Sequence, residues 1–332
     1  FSANAATRRQ IGTSQPINFK NWNFIHAPVP PTLPIPKSLL FDGGDEYVDI
    51  GSAATWEALI GGSAGSAKEF SFSLWLKPAA WVDSTPGIIT FGNLDRGLIC
   101  NAGSGPDDTR LFAKLDTAGN YGSITSAGEL SEDEWQHVTV TYAGGATAFP
   151  KVFVNATEAS YDTQVSGSPD AIATSDCVVG ASTPTGANLA GNICDVAVWS
   201  KELSAAEITE IYGGGARVNL KRVAATSDLL SWWMMGSDPL DTYNGTIYDQ
   251  KGTRDATPEN FDAAADIEED SPVFKIPYYA SSTNTKSIWW KSQAARNSSA
   301  LVEDTPSANP GLLKNKQTIL ENVKATNKRA QQ

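Results

Sequence analysis

Gly191–Tyr212 reads GNICDVAVWSKELSAAEITEIY, and the period of its apolar residues changes halfway along. From Gly191 to Trp199 the pattern alternates. Ile193, Asp195, Ala197 and Trp199 point to one side, and Cys194, Val196 and Val198 to the other. Apolar groups on both faces predict a strand covered on both sides. Ser204 then supplies an N-cap, and Glu207 three residues on completes a capping box. Leu203 and Ile208 flank that cap as a hydrophobic staple. Ile208, Ile211 and Tyr212 line one side of a short helix, which Gly213-Gly214-Gly215 ends.

Upstream, SLLFDGGDEYVDIG (Ser38–Gly51) alternates into and out of a Gly43-Gly44 turn, the mark of a hairpin. In FSFSLWLKP (Phe70–Pro78), Phe70, Phe72, Leu74 and Leu76 share one face, with Ser71, Ser73, Trp75 and Lys77 opposite. Short strand patterns follow at 87–92, 97–100, 109–115, 121–125, 135–142, 152–154 and 177–180, with turn residues between them. Downstream, Leu230, Trp232 and Met234 alternate with Leu229, Ser231, Trp233 and Met235, so Asp228–Met235 is one more strand. Many strands and almost no helix predict an all-β, two-sheet antiparallel sandwich.

Five segments in fixed order carry a resemblance: Ser38–Gly51, Phe70–Pro78, EWQHVTVTYAG (Glu134–Gly144), KVFVNATEAS (Lys151–Ser160) and the strand leading to LSAAEI. Together they resemble a laminin-G-like domain of the concanavalin A-like lectin/glucanase superfamily, over roughly Ser38–Tyr212. The resemblance implies a jelly roll and no activity by itself, since that fold hosts many functions. WMMG and YDQKGTRD (Trp233–Gly236, Tyr248–Asp255) resemble the strand that usually opens such domains, displaced here to follow the helix. Either this is a permuted closing strand or a second, incomplete unit begins. The first is preferred, because no second FDG or WQHV follows. This ordering is similar to that of structural proteins of tailed phages. The resemblance also implies a calcium ion held by rim carboxylates and backbone oxygens. By motif position Asp42 and Asp195 are its ligands; the competing reading is that they cap turns or pair with Lys or Arg.

Charge divides the chain. Residues 38–270 hold 12 Lys/Arg and 34 Asp/Glu, a net of −22, whereas 1–37 and 271–332 together hold 13 and 3, a net of +10. An acidic body with basic ends excludes a nucleic-acid-binding domain, whose folded part would carry the positive patch. The ends read as arms that lie on acidic surfaces. Segment 1–37 is an extended arm, Pro-rich at APVPPTLPIPK. Segment 271–332 is a second arm with an amphipathic helix beginning at Asn309-Pro310 and running through Lys328. Trp22, Phe24, Trp289 and Trp290 are the expected assembly contacts, because rings left in water would invite aggregation. The sequence opens on Phe1 rather than Met, as a processed chain or one that starts late would.

Catalytic patterns are missing. The only histidines are His26 and His137, and the resemblance accounts for His137 as a structural strand residue. There is no G-x-S-x-G elbow, no H-E-x-x-H, no Cys/His zinc spacing and no phosphate loop. ELSEDE (Glu129–Glu134) is acidic, but its spacing does not set two carboxylates across a glycosidic bond. Cys177 and Cys194 are spaced to pair, although small buried hydrophobes are the preferred reading. Trp81, Tyr121 and Tyr161 lie near loops, where sugar-stacking rings would be found. No apolar run approaches the ~20 residues of a membrane span. The expected function is a non-enzymatic virion-surface protein (a decoration, capsid-surface or fibre protein) whose arms bind other copies of the chain or a capsid or tail protein. The alternative is an extracellular carbohydrate-binding module that recognises a cell-surface glycan.

Overall fold

The computed structural model describes residues 36–275, apart from 80–84, 93, 102–109, 117–120, 166, 168, 173–175 and 263, together with 288–289 and 302–303. The strands of the first half are β1 (Ser38–Asp42), β2 (Tyr47–Ser52), β3 (Phe70–Pro78), β4 (Gly87–Phe91), β5 (Arg96–Asn101), β6 (Arg110–Lys114), β7 (Gly122–Thr125), β8 (Gln136–Tyr142) and β9 (Lys151–Val154). Those of the second half are β10 (Thr157–Glu158), β11 (Tyr161–Val165), β12 (Asp176–Val179), β13 (Ala190–Trp199), β14 (Leu229–Trp233), β15 (Thr257–Glu259) and β16 (Ile267–Glu268). Two α-helices interrupt them, α1 (Ala53–Ile60) and α2 (Ala205–Tyr212).

One sheet runs β10-β9-β8-β3-β13-β1-β16, with β14 also on β13; the other runs β11-β7-β6-β5-β4-β12-β2-β15. Every ladder between these strands is antiparallel. The inner faces meet over a core that includes Leu39, Phe41, Trp56, Phe72, Leu74, Phe91 and Trp233. A second apolar layer covers the outer face of the first sheet: Ala197, Trp199 and Trp232 pack beneath Leu203, Ile208 and Ile211 of the α2 segment. This is why Gly191–Trp199 is apolar on both faces.

β13 organises the first sheet. Its Ile193 end pairs with β1 (Leu39↔Ile193) and its Trp199 end with β14 (Val196↔Trp233), along one edge. Between these two partners the register against β3 shifts from Cys194 to Ala197, and Asp195 takes φ +51°. The bulge breaks the plain alternation. Ile193, paired with Leu76, therefore faces the inner core with Val196 and Val198, whereas Cys194, paired with Trp75, shares the other face with Ala197 and Trp199.

The capped helix forms as its sequence dictates. Ser204 Oγ accepts from the Glu207 amide, the Glu207 carboxylate accepts from the Ser204 amide, and Gly213 closes the helix at φ +65°. Helix α1 escapes the strand pattern. Its buried Trp56 and Ile60 stand four apart on one face, and Trp56 Nε1 donates to the Ile50 carbonyl at 3.0 Å. β14 lies within the sheet, with Trp233 facing the inner core and Trp232 the outer layer.

Candidate functional site

Two groups of buried ionisable residues stand out, and each contains one of the aspartates read as a calcium ligand. The first is centred on Arg217, which is completely buried. Its Nε donates to Asp195 Oδ2 at 2.6 Å and its Nη2 to Asp195 Oδ1 at 2.7 Å. Trp232 Nε1 also donates to Asp195 Oδ1, at 3.0 Å. The bulge on β13 turns Asp195 to the gap between β1 and β14, and Arg217 fills that gap. Burial alone would disfavour the guanidinium charge; the Asp195 carboxylate prevails and holds its pKa above the ordinary value.

The rest of this guanidinium gathers the two ends of the body. Nη1 donates to the Lys37 carbonyl (3.1 Å), Ser237 Oγ (2.7 Å) and Ser271 Oγ (3.0 Å). Phe274 stacks over it, with the ring centroid 4.1 Å from Cζ. The Arg217 amide donates to the Val273 carbonyl at 2.9 Å, and the Lys275 amide donates back to the Arg217 carbonyl at 2.6 Å. One side chain thus ties the start of β1, the bulge of β13, the end of β14 and the segment after residue 270.

The second group lies at the β1–β2 turn. Gly43 adopts φ +86°, a conformation that only glycine takes without strain, and so reverses the chain. Asp42 Oδ1 accepts from the Gly44 amide at 2.6 Å. Asn188 Nδ2 donates to the Gly44 carbonyl, and Asn260 Nδ2 donates to the Asp45 carbonyl at 2.9 Å. Glu46 is only 6% exposed and its Oε2 meets no donor; the Oδ1 of Asn188 is also buried without one. Burial, followed by the hydrogen bond and repulsion from Asp42, pushes the Glu46 carboxyl up to about 7.

Asp42 and Asp195 are not brought together. Asp42 sits opposite Ala190 in the β1–β13 ladder. Asp195 is five residues further along β13, roughly 16 Å at ~3.3 Å per residue. Both Asp195 oxygens already accept from Arg217, so the ion-pair reading describes it. The partner that approaches Asp42 is Glu46, which strand alternation alone does not single out. Among the described residues no three His, Cys, Asp or Glu side chains are placed to share one metal ion.

The other residues singled out by sequence are dispersed. Trp22, Phe24, Trp290 and the helix expected from Asn309 lie outside the described residues, as does Trp81. Trp289 falls in a separate two-stranded ladder, Ile288–Trp289 against Val302–Glu303. Cys177 and Cys194 occupy different sheets, and all three cysteines are free and buried. Burial pushes the Cys177 thiol up to about 12. Tyr121 is buried, its hydroxyl donating to the Ala148 carbonyl, and the Tyr161 hydroxyl accepts from the Val152 amide at 2.9 Å. His137 is buried between Trp75 and Tyr212 with Thr139 Oγ1 3.5 Å from Nδ1, and burial lowers its pKa to about 3. Among the described residues no helix is long and apolar enough to cross a membrane.

Comparison with solved structures finds the same sandwich. A candidate carbohydrate-binding protein from Bacteroides ovatus is 16% identical, with a TM-score of 0.52 over 73% of this chain and 62% of that one. The chain therefore spans less than two thirds of that protein's length. An SAP-like pentraxin from Limulus polyphemus is 13% identical over 54% of this chain and 82% of its own, TM-score 0.37. Domain 4 of an extracellular arabinanase from Geobacillus stearothermophilus is 14% identical over 45% and 68%, TM-score 0.30. At 16% identity the likeness to the Bacteroides ovatus protein is one of fold. Comparison with curated proteins found no match. The family model of the concanavalin A-like lectin/glucanases superfamily matches residues 42–209, half of the chain, from the β1–β2 turn into α2. By sequence and by fold, the chain belongs to the concanavalin A-like lectin/glucanase superfamily.

Proposed function

We propose that this chain is a non-enzymatic display protein of a virion-type surface assembly, in which a lectin-like sandwich is carried by two arms. The observation that supports this reading is the clasp on Arg217. Lys37, where segment 1–37 joins the body, and Ser271–Lys275, where segment 271–332 joins it, are held by the same buried residue. Both arms are thereby rooted at one place, and a load on either reaches β13 directly. Charge supports the same reading, since ends of net +10 complement bodies of net −22 on neighbouring copies or on an acidic capsid or tail protein. The test compares the full chain with residues 36–275 by sedimentation velocity at low and high salt. The full chain should form higher-order species that weaken as salt screens the arms, and the trimmed sandwich should stay monomeric. A full chain that remains monomeric at low salt, alone and with particle proteins, would sink the reading.

A second reading, an extracellular carbohydrate-binding module, is supported by membership of a lectin superfamily and by a surface groove. That groove is about 560 Å³ and is lined by Thr141, Lys151, Phe153, Lys201, Glu202 and Glu207. Its size suits a small ligand, and its charged hydrogen-bonding groups suit the hydroxyls of a sugar. Glycan-array binding by residues 36–275, lost on Lys151→Ala, would favour this module over the assembly protein.

A further inference from the structure

Arg96 is as completely buried as Arg217, and neither functional reading uses it. It begins β5 in the second sheet, two residues before Leu98 of the inner core. Its guanidinium carbon lies 5.7 Å from the ring centroid of Phe70, on β3 of the first sheet. The charge therefore sits between the two sheets. Nη2 donates to the Gly62 carbonyl and, at 3.1 Å, to the Asp170 carbonyl. Both acceptors are neutral. Nε and Nη1 are buried and meet no acceptor. Among the described residues no carboxylate forms an ion pair with Arg96. Glu57 binds the same two segments from their amide side instead: its carboxylate accepts from Gly62 at 2.9 Å and from Ile172 at 2.7 Å.

A guanidinium keeps its proton inside a protein, so this charge has to be met where it stands. Arg217 is met by Asp195, and its pKa is held up. Burial instead pulls the pKa of Arg96 below the ordinary value, against the opposing pull of Tyr142, Glu57, Asp95 and Asp170. A buried cation without a counter-charge is costly, and so is each buried N–H without an acceptor. Water would answer the second need only. An anion answers both. The surroundings limit its size and charge: Phe70 packs 5.5 Å from Tyr142, and the Tyr142 and Tyr121 hydroxyls already donate to the Gly145 and Ala148 carbonyls. A phosphate or sulfate would require donors beyond these, whereas a halide needs few. A shallow depression lined by Ser66, Ala67, Gly144 and Gly145 lies outside the same end of the core and offers a way in.

We propose that Arg96 is a buried site for a small monovalent anion of chloride size, held at Nη1, where both hydrogens are unused. The ion neutralises the guanidinium between the sheets. It also secures the grip of Arg96 on the Gly62 turn and on the segment around Asp170.

The experiment follows the melting temperature of the full chain in sodium chloride, bromide or gluconate at equal ionic strength; gluconate screens charge alike but is too large for a buried site. At about 0.15 M, chloride and bromide should each raise the melting temperature by about 4 °C over gluconate. Crystals grown in bromide should show anomalous scattering against Arg96 Nη1. Arg96→Met keeps the unbranched stem and removes the charge, and it should lose the halide shift. If that variant does not fold, the bromide map of the wild type decides alone. The proposal is overturned if halides and gluconate give the same melting curve, if the position against Nη1 shows no anomalous signal, or if a folded Arg96→Met keeps the shift.

Discussion

Asp195 and Glu46 are both acidic residues buried in the same sandwich, about 5–6% exposed, yet their surroundings are opposite. Asp195 faces a guanidinium in fork-to-fork geometry and an indole donor, so its charge is matched on both oxygens. Glu46 faces another carboxylate and keeps one oxygen with no donor. A matched buried charge fixes structure, because removing either partner strands the other in a medium that cannot solvate it. An unmatched one leaves stabilisation to be collected from something outside the chain. The first ties Lys37 and the segment after residue 270 to β13, and the second leaves a buried carboxyl oxygen without a donor.

The comparison is broken most severely at Arg217. Arg217→Met should lower unfolding stability by about 3–5 kcal/mol in denaturant titration, because Asp195 is left buried and alone. Pairing it with Asp195→Leu should restore much of the loss, which a purely local packing defect would not allow.

His137 supplies a buried ionisable group with no charged partner. Its pKa falls from 6.5 unfolded to about 3 folded, so its neutral form stabilises the fold above 6.5, and that contribution is lost as pH drops toward 3. At pH 4.5 the wild type should have lost about 2–3 kcal/mol relative to pH 7.5 through this group. His137→Phe should lack that component of the slope, and equal slopes in the two proteins would refute it.

Glu46→Gln sharpens the contrast through its sign. It should be neutral or stabilising by about 1 kcal/mol, where Asp195→Asn is clearly destabilising. Smallest of all is the exposed pair Lys151–Glu202, whose charged atoms lie 3.9 Å apart. Lys151→Ala should change stability by less than about 0.5 kcal/mol and be insensitive to salt within error.

The fold was legible wherever period and punctuation agreed. Phe70–Pro78 and Gln136–Tyr142 alternate cleanly and lie side by side at the centre of the first sheet. Ser204 and Glu207 announce α2, whose cap is written in side chains. Helix α1 lacks that announcement: Ser52 stands at its N-cap without a side-chain bond, and the eight residues are too few for a clear period. The bulge at Asp195 was not legible either, since one residue in the left-handed region inverts the faces of what precedes it while leaving the alternation intact. For the sites, motif position singled out Asp42 and Asp195 as neighbours, and the structure sets them apart along β13. Asn188 carried no signal in sequence, because its role comes from a bond across 144 positions. Arg217, just past the helix, was one cation among many until the structure put it in the gap beside β13.

The order in which the strands meet has a consequence for synthesis. β1 is the first strand of the sandwich to leave the ribosome, but its partners are β13, about 150 residues later, and β16, later still. At ~5–20 residues per second, Leu39 and Phe41 wait roughly 7–30 s for the strand that will bury them. β13 then waits again for β14 before its second half, already beside β3, is paired on both edges. The nascent chain therefore carries an unclosed sheet edge through most of translation. Its burden on the chaperone machinery is set by the length of that wait rather than by the stability of the finished protein.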